Sequence, residues 1–183
     1  MAGRKGQQAT RSRVAVVFVT MTFSGLALLP SAQALGGTCN GRLATSTGLD
    51  ASDQHGPVNL LGTNGNDVII GSDHGDTIDG RGGHDVICAG KGGDLVTGGA
   101  GNDRIYGEKG DDSISGEAGT DNLYGGKGDD VVHGGTGEDR LFGDDGEDNL
   151  NGIDGGSEDD LDGGDDDDLC TGDDNDDTSD CEA

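Results

Sequence analysis

The chain has 183 residues, of which 39 are glycine, none is tryptophan and only 3% are aromatic, and its formal net charge is −26. At this length one domain is the default, but so few large apolar side chains argue against an ordinary globular core. The acidic excess argues against nucleic acid and anionic membranes as partners and favours cations.

The charge is uneven. Residues 1–61 hold five bases and two acids, 62–151 hold six bases and twenty acids, and 152–183 hold fifteen acids and no base. Arg4, Lys5, Arg11 and Arg13 precede an apolar stretch from Val14 to Leu29, followed by Pro30 and Ala32-Gln33-Ala34. A basic start, a short apolar segment and an A-x-A site in that order read as a secretory signal peptide over 1–34. This stretch of sixteen residues falls short of the roughly 20 that span a bilayer, so no stable membrane insertion is expected after cleavage. Removal of its four bases leaves −30 on the remainder, which is expected to be secreted, free or cell-surface associated. Outside the cell calcium is plentiful and disulfides persist. Residues 35–61 are read as an N-terminal cap segment.

From Gly62 to Asn151 ten nine-residue units follow without a slip, reading G-x-x-G-x-D-x-U-x with U a large aliphatic, except that Ala89 stands at one first position and His74 at one fourth. The sixth position is always Asp: Asp67, Asp76, Asp85, Asp94, Asp103, Asp112, Asp121, Asp130, Asp139 and Asp148. The eighth is always Ile, Val or Leu, from Ile69 to Leu150. A fixed short period is the mark of a solenoid. The first six residues of a unit are predicted to turn and the last three to form a short strand, with the eighth side chain pointing inward. Two units complete one coil, and coils stack as two parallel sheets around a thin aliphatic core.

This stacking places Asp67, Asp85, Asp103, Asp121 and Asp139 in one column and Asp76, Asp94, Asp112, Asp130 and Asp148 in another. Carboxylates so close repel unless a cation lies between them. Hard oxygen ligands together with turn carbonyls suit Ca²⁺, which takes six to eight oxygens. Five turns per column leave four gaps, hence about eight inter-turn sites, whose ions would nearly neutralise the −14 of 62–151.

Four cysteines allow three pairings. Cys88 and Cys170 stand four to five coils apart, roughly 20 Å at about 4.8 Å per coil, beyond disulfide reach. Local pairs are expected, Cys39 with Cys88 and Cys170 with Cys181, one at each end of the stack.

The repeats resemble those of the RTX, or hemolysin-type, calcium-binding family, with consensus G-G-x-G-x-D-x-U-x. Gly98-Gly99-Ala100-Gly101-Asn102-Asp103-Arg104-Ile105-Tyr106 matches every fixed position, as does 134–142. The resemblance implies an all-β parallel β-roll, a right-handed β-solenoid, that folds on binding calcium. It also implies that each Asp and the carbonyls of its turn share an ion with the turn one coil on. His74-Gly75 departs from the pattern and is expected to weaken the first even-column site. Residues 152–162 form an eleven-residue unit where the register is expected to break. Residues 163–171 recover it loosely, with Asp168 in the ligand position; the dense acids from Asp173 to Asp177 either bind calcium weakly or, the favoured reading, form a solvated tail before the C-terminal disulfide.

The ninth position is apolar in odd units (Ile70, Cys88, Tyr106, Tyr124, Phe142) and polar in even ones (Asp79, Thr97, Ser115, His133, Asn151). Either residues 35–61 cover the apolar ladder or it meets a second copy or a cell-surface partner. No catalytic constellation stands out: His55, His74, His84 and His133 are scattered, and no serine lies in G-x-S-x-G. A non-enzymatic, structural calcium-binding module is expected. The alternative is a calcium-dependent adhesion or recognition protein using Tyr106, Tyr124 and Phe142.

Overall fold

The computed structural model describes residues 38–39, 42–43, 49–50, 56–155 and 157–182. The expected signal peptide and much of the expected cap segment lie outside the described residues. Every regular element described is a strand. Asn59–Leu61, Thr77–Asp79, Leu95–Ala100, Ser113–Ala118, Val131–Thr136, Asn149–Asn151 and Leu169–Thr171 form a seven-stranded sheet, neighbour to neighbour in that order. Leu49–Asp50, Val68–Ile70, Val86–Lys91, Arg104–Lys109, Asn122–Lys127, Arg140–Asp145, Asp160–Asp165 and Asp177–Ser179 form an eight-stranded one. The chain changes sheet at every turn, so pairing joins residues eighteen apart: Ile105 lies beside Ile87 on one side and Leu123 on the other. The result is an all-β parallel solenoid with two units per coil.

Between the sheets runs one file of eighth-position side chains. Ile69, Ile78, Ile87, Val96, Ile105, Ile114, Leu123, Val132, Leu141 and Leu150 are all buried. Each contributes about 1.5–3 kcal/mol by leaving water, and a unit has no second large aliphatic pointing inward. A core this thin depends on every member.

The strands are longer than predicted. Arg104–Lys109 pairs with Asn122–Lys127 at Arg104, Ile105 and Tyr106, skips Gly107, and pairs again at Glu108 and Lys109. The residue after the skip takes a left-handed conformation, as Gly99 (φ 109°) and Glu108 (φ 76°) do, and re-aims the backbone into the ladder as a bulge does. Arg81, Glu117 and Asp144 adopt the same conformation without being glycine. Each such residue costs about 1–2 kcal/mol, which the regained ladder bonds offset.

The eleven-residue unit does not break the stack. Arg140, Leu141 and Phe142 pair with Asp160, Leu161 and Asp162, twenty residues on instead of eighteen. The extra length is taken up in the turn, where Ser157 N–H donates to Asp154 Oδ1 (3.1 Å) and Ile153 is exposed. Leu161 keeps the inward place and is fully buried. Nor are the last acids a solvated tail. Asp177–Ser179 pairs with Asp160–Asp162, and a disulfide between Cys170 and Cys181 (Cα–Cα 5.7 Å) ties the segment back. An open parallel edge offers unpaired N–H and C=O groups, and this gain outweighs the like charges.

At the other end, Leu49–Asp50 and Asn59–Leu61 extend the two sheets ahead of the first repeat. Thr38–Cys39 and Arg42–Leu43 form a small antiparallel pair, and Cys39 is bonded to Cys88 (Cα–Cα 5.6 Å). Cys39, Val68, Ile70, Val86 and Cys88 make a second buried cluster, with Tyr106 packed against it. Cys39 thus packs on the apolar ladder at its first coils; the rest of the expected cover lies largely outside the described residues. Tyr106, Tyr124 and Phe142 stay half-buried, stacked at 4.8 and 4.9 Å between ring centroids. Three exposed cation–carboxylate pairs, Lys91–Asp73, Lys127–Asp145 and Arg140–Asp160, also bridge successive coils. All are solvent-screened and contribute little.

Leu123→Ala should therefore destabilise the roll by about 2–5 kcal/mol in chemical denaturation at saturating calcium. Thr120→Ala, on an exposed turn, should stay within about 0.5 kcal/mol.

Candidate metal centre

The sixth position of each unit sits where the turn enters the next strand, and there the Asp side chain folds inward. All ten repeat aspartates are buried, none more than 3% exposed. Apart from Asp67, each carboxylate has one oxygen tied to the neighbouring coil. Oδ1 of Asp85, Asp103, Asp121 and Asp139 accepts the main-chain N–H of Asp67, Asp85, Asp103 and Asp121 respectively, at 2.7–2.8 Å. The even column repeats this through Asp94, Asp112, Asp130 and Asp148 at 2.6–2.8 Å. The two columns run along opposite edges of the roll, five of the ten aspartates in each.

The columns also run past the regular repeats. Asp139 N–H donates to Asp159 Oδ1 and Asp148 N–H to Asp168 Oδ1, both at 2.8 Å, and Asp159 and Asp168 are as buried as the others. Asp159 was missed because counting by nine from Asp148 falls elsewhere. The spacing Asp159-Asp160-Leu161, the same D-x-U triplet, was the signal that could have found it.

The second oxygen is different. Oδ2 of Asp85, Asp94, Asp103, Asp112, Asp121, Asp130, Asp139, Asp148, Asp159 and Asp168 is buried and has no hydrogen-bond partner among the described residues. Leaving such an atom unpaired costs about 1–3 kcal/mol, more when charged. Asp67 and Asp76 depart from this rule. Asp67 Oδ2 accepts Thr63 N–H (2.6 Å) and its hydroxyl (2.9 Å), leaving only Oδ1 open. Asp76 accepts Ser72 N–H (2.6 Å), the Ser72 hydroxyl (3.1 Å) and Val58 N–H (2.9 Å), and keeps no open oxygen.

Burial makes these carboxyls hard to ionise. It raises Asp94, Asp121 and Asp130 to about 7 and Asp85, Asp112, Asp139 and Asp148 to about 6, against the cross-coil hydrogen bond, which favours the charged form. The aspartates one coil away raise several further, Asp103 and Asp139 acting on Asp121 for instance.

A cation would remove both penalties, and the turns fit one. A Cβ built on Gly98 would lie 2.5 Å from Asp103 Oδ2 and 3.0 Å from the Gly116 carbonyl oxygen; on Gly80, 2.5 Å from Asp85 Oδ2 and 2.6 Å from the Gly98 carbonyl. A bare carboxylate oxygen and a main-chain carbonyl of the next coil face the same small space, which these glycines leave open. Among the described residues no three His, Cys, Asp or Glu side chains converge on one point. The donor set is instead one carboxylate per turn with main-chain carbonyls, an all-oxygen set that suits calcium and excludes a thiolate or imidazole metal.

The family model for the RTX calcium-binding nonapeptide repeat matches in four copies, over residues 61–96, 89–123, 97–132 and 124–152. No curated protein matches the chain. The matched copies cover half of the chain and coincide with the coils whose carboxylates stack and whose Oδ2 atoms lack partners. On that period, that fold and that oxygen ladder, the chain belongs to the RTX calcium-binding nonapeptide-repeat family.

Proposed function

We propose that this is a secreted, non-catalytic calcium-binding protein whose roll is completed by Ca²⁺ and which serves as a structural or surface-associated module. The observation that carries the reading is the pair of columns of buried carboxylates with one bare oxygen each. Asp85, Asp103, Asp121, Asp139 and Asp159 would hold ions along one edge, and Asp94, Asp112, Asp130, Asp148 and Asp168 along the other. Carbonyls of first-position residues such as Gly98 and Gly116 would be further ligands. Five turns bound four gaps in each column, giving eight ions displaced one coil toward the C-terminus from the positions expected by counting repeats. Bound calcium would supply the positive charge that keeps these carboxylates ionised inside the roll. The chain's own residues do the rest: cross-coil N–H groups fix Oδ1, the glycines leave room, and the aliphatic file closes the core.

The order of basic, apolar and A-x-A residues at 1–34 supports secretion, as do two disulfides. Between the structural and the adhesive reading, the ring stacking favours the first. Tyr106, Tyr124 and Phe142 spend their faces on one another and turn edges outward, so the ladder acts as a further bond between coils.

Circular dichroism during a calcium titration tests the proposal. A chain this acidic should show little strand signal in EDTA and gain it cooperatively, with a midpoint of about 10⁻⁴–10⁻³ M. Full strand signal in EDTA, unchanged by calcium, would overturn it. Replacing Asp159 and Asp168 together by Asn should lower the number of ions bound in equilibrium dialysis while leaving Val68–Ile70 and Thr77–Asp79 protected from exchange.

The pH dependence follows from the raised carboxyls. Folded values of about 6–7 against an unfolded value near 3.9 mean that the metal-free roll takes up protons on folding. Their contribution to stability is present below about pH 4 and lost as pH rises through about 6–7. In EDTA, strand signal should therefore increase on acidification from pH 7.5 toward 4. In calcium the midpoint should rise by about tenfold from pH 7.5 to 5.5, because protons compete for the same oxygens.

A further inference from the structure

The position after the first glycine is left-handed through the interior of the roll: Arg81, Gly90, Gly99, Glu108, Glu117, Gly126, Gly135 and Asp144 all have φ between 73° and 117°. None of these offers a hydroxyl. Thr63 and Ser72 occupy that position in the first two units, carry hydroxyls and are not left-handed. There the N–H and the hydroxyl turn onto the unit's own Asp, Thr63 onto Asp67 and Ser72 onto Asp76. These are also the two aspartates whose Oδ2 is not bare. Ser72 is itself buried, and its hydroxyl also accepts His74 N–H (3.2 Å). Around the same coil lie the Cys39–Cys88 disulfide, the cluster of Val68, Ile70, Val86 and Cys88, and the extra strands Leu49–Asp50 and Asn59–Leu61.

We infer that Thr63 and Ser72 are positioning residues that take the place of the metal in the first coil. That coil closes without calcium and forms the edge on which the calcium-dependent coils assemble in order toward the C-terminus. The donors supplied by Thr63 and Ser72 pair Oδ2 of Asp67 and Asp76, the oxygen that is left bare in the later coils. From Asp85 to Asp168 no local donor reaches Oδ2 and each coil waits for its ion. This rests on the calcium reading above, and its test separates the two.

Hydrogen exchange read by mass spectrometry on the disulfide-bonded chain is the experiment. In EDTA, amides of Val68–Ile70 and Thr77–Asp79 should be protected while those from Arg104 to Asn151 exchange freely. Added calcium should extend protection from the N-terminal side. Exchange throughout the first coil in EDTA, with the whole roll protected in calcium, would overturn the inference and leave the calcium reading standing. Protection everywhere in EDTA would sink both. Thr63→Val with Ser72→Ala should lower first-coil protection in EDTA by about tenfold or more and raise the calcium midpoint. Unchanged protection in this double variant also counts against the inference. Asp76→Asn, which removes charge from a carboxylate with no open oxygen, should leave calcium stoichiometry unchanged, whereas Asp121→Asn should lower it. Equal losses of calcium from the two variants would contradict the assignment.

Discussion

From Asp85 to Asp168 each buried column carboxylate has two oxygens with opposite fates. Oδ1 binds the main chain of the coil before it, which fixes the side chain and aligns the coils; Oδ2 is carried into the interior with nothing to meet it. The first contact makes the stack regular and the second makes it electrostatically incomplete. An isolated buried charge is expensive enough that the group either protonates or finds a counter-charge. With the same arrangement repeated along both edges, the conflict is collective. Relief by calcium at one gap lightens the load on the carboxylates at both of its faces, which is the physical root of cooperativity between neighbouring coils.

The rest of the architecture is adapted to a stack with little hydrophobic reserve. One aliphatic side chain per unit supplies the core, so lateral bonds do the remaining work. Backbone ladders resume after each bulge, even where this holds Arg81, Glu108, Glu117 and Asp144 in left-handed backbone. Outside, the Tyr106–Tyr124–Phe142 stack and the Lys91–Asp73 and Lys127–Asp145 pairs join successive coils again. All of these interactions run along the solenoid axis. None joins distant coils, so stability is a sum of neighbour terms and the two ends are its weak points.

Both ends are closed by means that need no metal. A disulfide, a short hairpin and extra strands cover the start, and Thr63 and Ser72 satisfy the first carboxylates. A second disulfide and the strand Asp177–Ser179 cover the finish, where Asp176 accepts the N–H groups of Asp173 and Asp159. Asp176 thus ends its column as Asp67 begins it, with hydrogen bonds from its own turn. The transition from hydrogen-bonded to bare carboxylates marks where the polypeptide alone suffices and where a cation becomes a structural component.

The period, the two-sheet solenoid, the inward file from Ile69 to Leu150, the two columns of aspartates and the choice of calcium are all legible in the order of residues alone. All of these depend on residues nine or eighteen apart in a strict register, and period is a property a single chain displays. The features that spacing does not reveal lie where it disagrees with long-range pairing. Counting by nine loses Asp159, but pairing of Arg140 with Asp160 keeps it in its column, because two extra residues cost less in a surface turn than a broken ladder costs in two sheets. Like charge argues for a free tail after Asp173, but an open sheet edge and a disulfide capture it. The six-residue strands follow from ladder bonds that resume after a left-handed residue, which no period reports. The distinct roles of Thr63 and Ser72 follow from backbone conformation and hydrogen-bond direction at the end of the stack, and a repeat read one unit at a time carries neither.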